Sequence, residues 1–276
     1  MVQRSTSASP TAIVVFDIDG VIRDVSHSYR RALADTVEHF TQGAFRPSQV
    51  DIDTLKSEGI WNNDWEASRE FIYRYFETQG QSRSQLPLDY EAIVGFFQSR
   101  YRGANPDDPE SWTGYICQEP LLLKARYLEQ LTEAGIAWGF FSGATRGSAT
   151  YILERRLGLK APVLVAMEDA PGKPDPTGLI QTVQQLEADT SGEWVAPIIY
   201  VGDTIADLQT VERARLLQPD RQWFSVGVLP PHAQEPESYA TEYTKKLQQA
   251  GAAIVLKNVE SLSLSQIQEL IDRSSA

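Results

Sequence analysis

Ile13-Val14-Val15-Phe16-Asp17-Ile18-Asp19-Gly20 sets the reading of the whole chain. Four apolar residues run without a break and then give way to Asp-x-Asp-Gly. An unbroken apolar run ended by a turn signal fits a strand buried on both faces, as in a parallel α/β sheet. Ligands of such sheets bind just beyond the carboxyl ends of the strands, which is where Asp17 and Asp19 fall. Two carboxylates this close raise each other's pKa, so stability alone does not account for them. A hard divalent cation such as Mg²⁺ resolves the conflict, because it takes oxygen ligands. Taken alone the stretch also fits a solvated turn, and the residues that follow it must decide.

Further apolar runs repeat the pattern. Strands are predicted at 136–141, 163–166, 198–201, 223–228 and 253–256. Helical spacing falls between them at 121–134, 144–157, 176–186, 205–214 and, last, 265–271. Strand and helix in alternation give a parallel sheet with helices on both faces. The stretch between Asp24 and Gln118 differs, with helices predicted at 25–40, 48–56, after Trp65 and at 89–101, and no convincing strand. The expected architecture is therefore α/β. A Rossmann-like core at 12–23 and 119–276 carries an inserted all-helical domain at 24–118.

Composition narrows the function. The chain has 276 residues, 42% of them apolar, enough for a full hydrophobic core. A formal net charge of −12 argues against a nucleic-acid or anionic-membrane partner. An anionic substrate would need cations placed locally. The single cysteine, Cys117, excludes an intramolecular disulfide and a cysteine metal site, and it fits a reducing, cytoplasmic setting. Residues 1–11 are polar, lack the apolar centre of a signal peptide and are expected to form a disordered arm. No apolar run is long enough to span a membrane.

Four polar signals sit at the carboxyl ends of predicted strands, where residues distant in sequence can converge. Asp17 and Asp19 follow the first strand, and Ser142-Gly143 follows Phe140-Phe141. Lys173 lies in Pro-Gly-Lys-Pro-Asp-Pro after the third, and Asp203 and Asp207 lie in Gly-Asp-Thr-Ile-Ala-Asp after the fourth. Singly, each has an ordinary reading: Ser142 as a helix N-cap, Lys173 as a solvated loop cation, Asp207 as a first-turn helix acid.

Together and in this order the four resemble the motifs of the haloacid dehalogenase superfamily of phosphohydrolases, spanning residues 13–207. The inserted helices are similar to the small cap of its subfamily I. The resemblance implies a Mg²⁺-dependent phosphatase acting on a small phosphorylated metabolite. Asp17 matches the nucleophile that forms an aspartyl-phosphate. Asp19 matches the general acid/base, its backbone carbonyl joining Asp17, Asp203 and Asp207 around the metal. Ser142, Gly143 and Lys173 match the groups that hold the phosphoryl unit. The dehalogenases that name the superfamily lack the second aspartate of the first motif, because a halide leaves without a proton. Asp19 therefore favours phosphoryl transfer. A phosphomutase of the β-phosphoglucomutase type and a non-catalytic binding protein on the same fold are the alternatives.

Substrate choice in the superfamily is read largely by the cap. Trp61-Asn62-Asn63-Asp64-Trp65 could stack on and hydrogen-bond a polar, sugar-like substrate. It could equally be cap core with an asparagine capping the next helix. Arg23 and Arg146, just past the first and second motifs, are candidate cations for an anionic substrate; either also fits a surface salt bridge.

Overall fold

A computed structural model describes residues 11–61, 63–188 and 195–273. The arm expected at 1–11 lies outside these except for Thr11, whose N–H donates to the Gly135 carbonyl at 2.9 Å. The chain runs β1 (Ala12–Phe16), α1 (Tyr29–Phe40), α2 (Gln49–Lys56), α3 (Asp64–Thr78), α4 (Tyr90–Tyr101), α5 (Ala125–Glu133), β2 (Ile136–Phe141), α6 (Arg146–Thr150), β3 (Leu164–Val165), α7 (Thr177–Glu187), β4 (Ile198–Gly202), α8 (Ile205–Leu217), β5 (Trp223–Val228), α9 (Glu237–Gln249), β6 (Ile254–Leu256) and α10 (Leu264–Arg273). It divides into two units, Met1–Arg23 with Leu121–Ala276, and Asp24–Pro120. The boundary falls two residues beyond the one expected from sequence.

The first unit is built on one six-stranded sheet in the order β3-β2-β1-β4-β5-β6, every pair parallel. β1 is central and buried throughout, which is why its sequence has no polar alternation. Ile13 and Val15 share one core with Leu179 and Val183 of α7 and Val211 and Ala214 of α8. Phe16 belongs to the other face and meets Tyr127 of α5 edge-on, ring centres 6.4 Å apart. The strand order reverses at β1 and β4, so the carboxyl ends of these two strands form the switch point where such sheets open a crevice. Gly178 lets α7 lie close on the sheet, since a Cβ there would stand 2.2 Å from the Phe141 ring.

Two parts of this unit differ from the sequence reading. α6 is only five residues long and continues as a π-helical turn, Tyr151–Arg156. α9 was not foreseen at all, because its sequence ESYATEYTKKLQQ buries only Leu247. Its apolar face is a thin i, i+4 row of Tyr239, Tyr243 and Leu247 in an otherwise polar stretch.

The second unit is helical. α1 packs its face of Leu33 and Val37 into a core with Ile72 of α3 and Ile93 and Phe97 of α4, all fully buried. Tyr29 meets Phe97 and Tyr101 with ring centres 5.1 and 4.3 Å apart. The helix expected from residue 25 begins only at Tyr29. Asp24 holds the preceding turn instead, accepting the Ser26 N–H at 2.9 Å. Ser48 and Asp51 form a capping box at the start of α2.

Candidate active site

The site grows out of the strand register. Phe16 is level with Phe140 of β2 and Val201 of β4. One residue further on, Asp17 is level with Phe141 and Gly202, and its N–H donates to the Val201 carbonyl at 2.8 Å. Alternation along the strand puts Asp17 on the same face as Ile13 and Val15. Phe141 and Tyr200 line that face.

Lys173 arrives there from the loop after β3 and is almost wholly buried. Its Nζ lies 2.7 Å from Asp17 Oδ1 and 2.6 Å from Asp207 Oδ1. The same ammonium sits 5.1 Å from the Phe141 ring centre and 5.3 Å from that of Tyr200, a cation–π arrangement strengthened by burial. Burial works against its charge, but Asp17 and Asp207 overcome this and hold its pKa above the ordinary lysine range. It is not the solvated loop cation that Lys173 suggests in isolation.

Asp207 is fully enclosed. Oδ1 accepts from Lys173 at 2.6 Å and faces the Tyr200 hydroxyl at 3.1 Å. Oδ2 accepts from the Thr204 N–H at 2.9 Å and its hydroxyl at 2.6 Å, the capping box that starts α8. Burial opposes its ionised form, yet Lys173 and the Thr204 donors hold its pKa below the usual carboxylate range. Asp17 goes the other way. Burial, opposed by Lys173 and reinforced by repulsion from Asp207 and Asp19, pushes it up to about 7. The two share one lysine, and the proton goes to the aspartate with fewer donors.

Asp17, Asp203 and Asp207 bring carboxylate oxygens to within 4.8 Å of one another. Gly20 makes this possible. Its φ is +78°, and a Cβ there would lie 2.1 Å from Asp203 Oδ2. The glycine of Asp-x-Asp-Gly thus serves both a left-handed turn and the close approach of β4's aspartate. Gly202 likewise leaves room for Asp207, whose Cβ would stand 2.3 Å from any side chain at 202. Buried carboxylates supplying only oxygen, one of them driven toward protonation, fit a hard divalent cation. Asp17 and Asp203 would hold it. Asp207, expected as a further acidic ligand, belongs to the same oxygen cluster and also anchors Lys173.

Ser142 is buried and its Oγ accepts the Ala144 N–H at 3.1 Å. It does not cap α6, whose N-cap is Thr145. The Ala144 N–H is taken by that hydroxyl, and the Arg146 N–H by Glu168. Asp19 stands apart from the triad, accepting from Arg23 Nε at 2.6 Å. Arg23 is fully buried and forms the salt bridge with Asp19 rather than an exposed one. Arg146 is half-exposed and turned to Asp169, while its N–H donates to Glu168 at 2.9 Å; this is the surface salt bridge.

The cap candidates belong to the helical unit. Trp61 donates its indole N–H to Glu58 at 2.7 Å. Asn63 caps α3, accepting from Trp65 N and Glu66 N at 2.9 and 3.3 Å. Trp65 is half-buried, and Asn62 lies outside the described residues. Sequence reasoning missed Tyr200 and Thr204, which support Lys173 and Asp207. Tyr200 is masked by the apolar run of β4, though a lone phenol within such a run is itself a signal of a buried partner.

The sequence profile of the haloacid dehalogenase-like hydrolases matches residues 11–215. The chain belongs to that family. Its helical unit lies in sequence between the first two motifs. This haloacid dehalogenase-like hydrolase is 28% identical over 257 residues to a Phytophthora nicotianae protein named imidazoleglycerol-phosphate dehydratase, a match covering 90% of this chain and 51% of that one. The chain therefore spans about half the length of that curated relative. Among solved structures it is similar to a phosphonoacetaldehyde hydrolase-like protein from Oleispira antarctica, with a TM-score of 0.69 at 19% identity, covering 99% of this chain and 97% of that one. It is also similar to phosphatase Tt82 from Thermococcus thioreducens, with a TM-score of 0.59 at 24% identity, covering 78% and 92%. At these identities the structures speak for the fold.

Proposed function

We propose that this chain is a Mg²⁺-dependent phosphatase of a small phosphorylated metabolite, working through an aspartyl-phosphate on Asp17. One observation carries the reading: Asp17 lies buried against Lys173, 2.7 Å away, within a cluster of three carboxylates at the switch point of the sheet. A surface turn has no use for such a group, whereas a nucleophile shielded from water does.

In the first step an Asp17 oxygen attacks phosphorus in line, and the bond from phosphorus to the ester oxygen breaks. Asp19 gives its proton to the departing alkoxide. In the second step Asp19 takes a proton from water as that water attacks phosphorus, returning the Asp17 carboxylate and releasing phosphate. Lys173 offsets the charge gathered on the phosphoryl oxygens, and Asp207 with Tyr200 holds it there. Ser142 and the Gly143 N–H would position the phosphoryl group. A Mg²⁺ held by Asp17, Asp203 and the Asp19 carbonyl would keep the nucleophile ionised and screen it from the phosphate. The helical unit would serve as the cap that selects the leaving group and sheds water.

The test is a panel of phosphate monoesters with Mg²⁺, read by phosphate release, with Asp17→Asn as the blank. Imidazoleglycerol phosphate belongs on the panel because the relative is named for it. Phosphate released in proportion to ester consumed, and lost in the blank, is the expected result. An isomeric sugar phosphate without free phosphate would make the protein a mutase. Equal rates for wild type and Asp17→Asn would end the enzyme reading.

A further inference from the structure

We infer that Arg23 is a positioning residue for Asp19, holding the general acid's carboxylate at the angle from which it protonates the leaving group. The inference rests on the phosphatase reading above. The loop after β1 is closed tightly: the Gly20 N–H donates to the Arg23 carbonyl at 2.9 Å, and the Ile18 carbonyl accepts from Ile22 and Arg23 at 2.8 and 3.2 Å. This returns residue 23 to the level of residue 19, where the two form a bridge. A second bridge joins Arg23 to Leu121, and the Leu122 N–H donates to the Ile22 carbonyl at 2.8 Å. The backbone on which the guanidinium stands is thus fixed from both sides.

The side chain is 0% exposed, against 26% for Asp19. A guanidinium with no access to water cannot meet a substrate directly. Through Nε it holds the Asp19 carboxylate, 2.6 Å away. An arginine is desolvated at great cost unless a carboxylate meets it, and its rigid planar fork fixes direction as well as charge. With Oδ1 held by Arg23, the plane of the carboxylate, and so the direction of Oδ2, is fixed.

The test uses two esters on the full-length protein, an alkyl phosphate whose alkoxide needs a proton and p-nitrophenyl phosphate whose phenolate does not. The readout is kcat/KM, which covers the chemistry only through departure of the leaving group. Arg23→Met, which fills the volume without donors, should lower kcat/KM on the alkyl ester by about 100-fold, the lower end of a general acid's contribution. Its value on the aryl ester should stay within about threefold of wild type. Arg23→Lys should recover part of the alkyl rate. Equal losses on both esters, or no loss, would overturn the inference. Should Arg23→Met not fold, Arg23→Lys carries the test, and an unchanged alkyl-to-aryl ratio would overturn it. Wild type inert on both esters would instead bring down the phosphatase reading beneath it.

Discussion

Lys173 is the residue on which the buried charges balance. Breaking a buried ion pair from one side typically costs about 3–5 kcal/mol, because the partner charge is left without compensation. Lys173→Met should therefore lower stability by about that much in urea unfolding with chelator present. Asp207→Asn in the same background should recover part of it. A loss below about 1 kcal/mol, the range of surface pairs, would mean that the ammonium is not enclosed. Asp17 gives a pH signature. Burial pushes it up to about 7, so the folded chain holds that proton more tightly than the unfolded chain does. The stability gained from the proton is fully present below about pH 4, the ordinary carboxylate range, and is lost as pH rises through about 7. Asp17→Asn carries no such proton. In chelator, its stability relative to wild type should be highest at pH 8 and decline toward pH 5. A difference that does not change with pH would contradict the buried, proton-seeking Asp17.

At the scale of elements, the loop after β1 is a tight turn closed by hydrogen bonds across residues 18–23. Gly20→Ala would combine a left-handed backbone, costing about 1–2 kcal/mol, with a methyl group aimed at Asp203. We expect the fold to persist, with Mg²⁺ affinity measured by calorimetry falling at least tenfold. Unchanged affinity would show that Asp203 does not approach the loop this closely. The elements also show how far the sequence could be read. Apolar runs bounded by turn signals marked the strands, most plainly β1 and β4, whose burial on both faces leaves no ambiguity of pattern. The four strand-end motifs were legible for the same reason, since a parallel sheet gathers its strand ends on one edge. α9 was hidden because a helix covering a sheet margin needs only a thin apolar row. The partners of the motif residues were hidden more deeply. That Asp207 bonds Tyr200 and Thr204, or that Arg23 turns inward to Asp19, depends on register and side-chain direction. Neither is written in the spacing of one chain. Of the two readings held for Arg23 and Arg146, the pairing with a carboxylate is the one seen, with Asp19 and Asp169.

At the scale of the whole molecule, the two segments of the first unit that flank the helical insertion end side by side, since Arg23 and Leu121 are bridged. Its ends meet there too, the Asp24 N–H donating to the Pro120 carbonyl at 2.9 Å. Replacing residues 24–120 by a short Gly-Ser linker should therefore leave the sheet unit able to fold, seen as one cooperative unfolding transition. If the helical unit is the cap, discrimination among esters should fall more than turnover of p-nitrophenyl phosphate. Failure to fold would show that the sheet depends on the helices. All of these readings rest on a phosphoryl group passing through Asp17, and a chemical trap tests that most directly. The enzyme is acid-quenched during turnover of an alkyl phosphate with Mg²⁺, reduced with borohydride and digested for peptide mass spectrometry. The account expects homoserine, the reduction product of an aspartyl-phosphate, at position 17 and at no other aspartate. Sustained phosphate release with Asp17 unreduced throughout would contradict it.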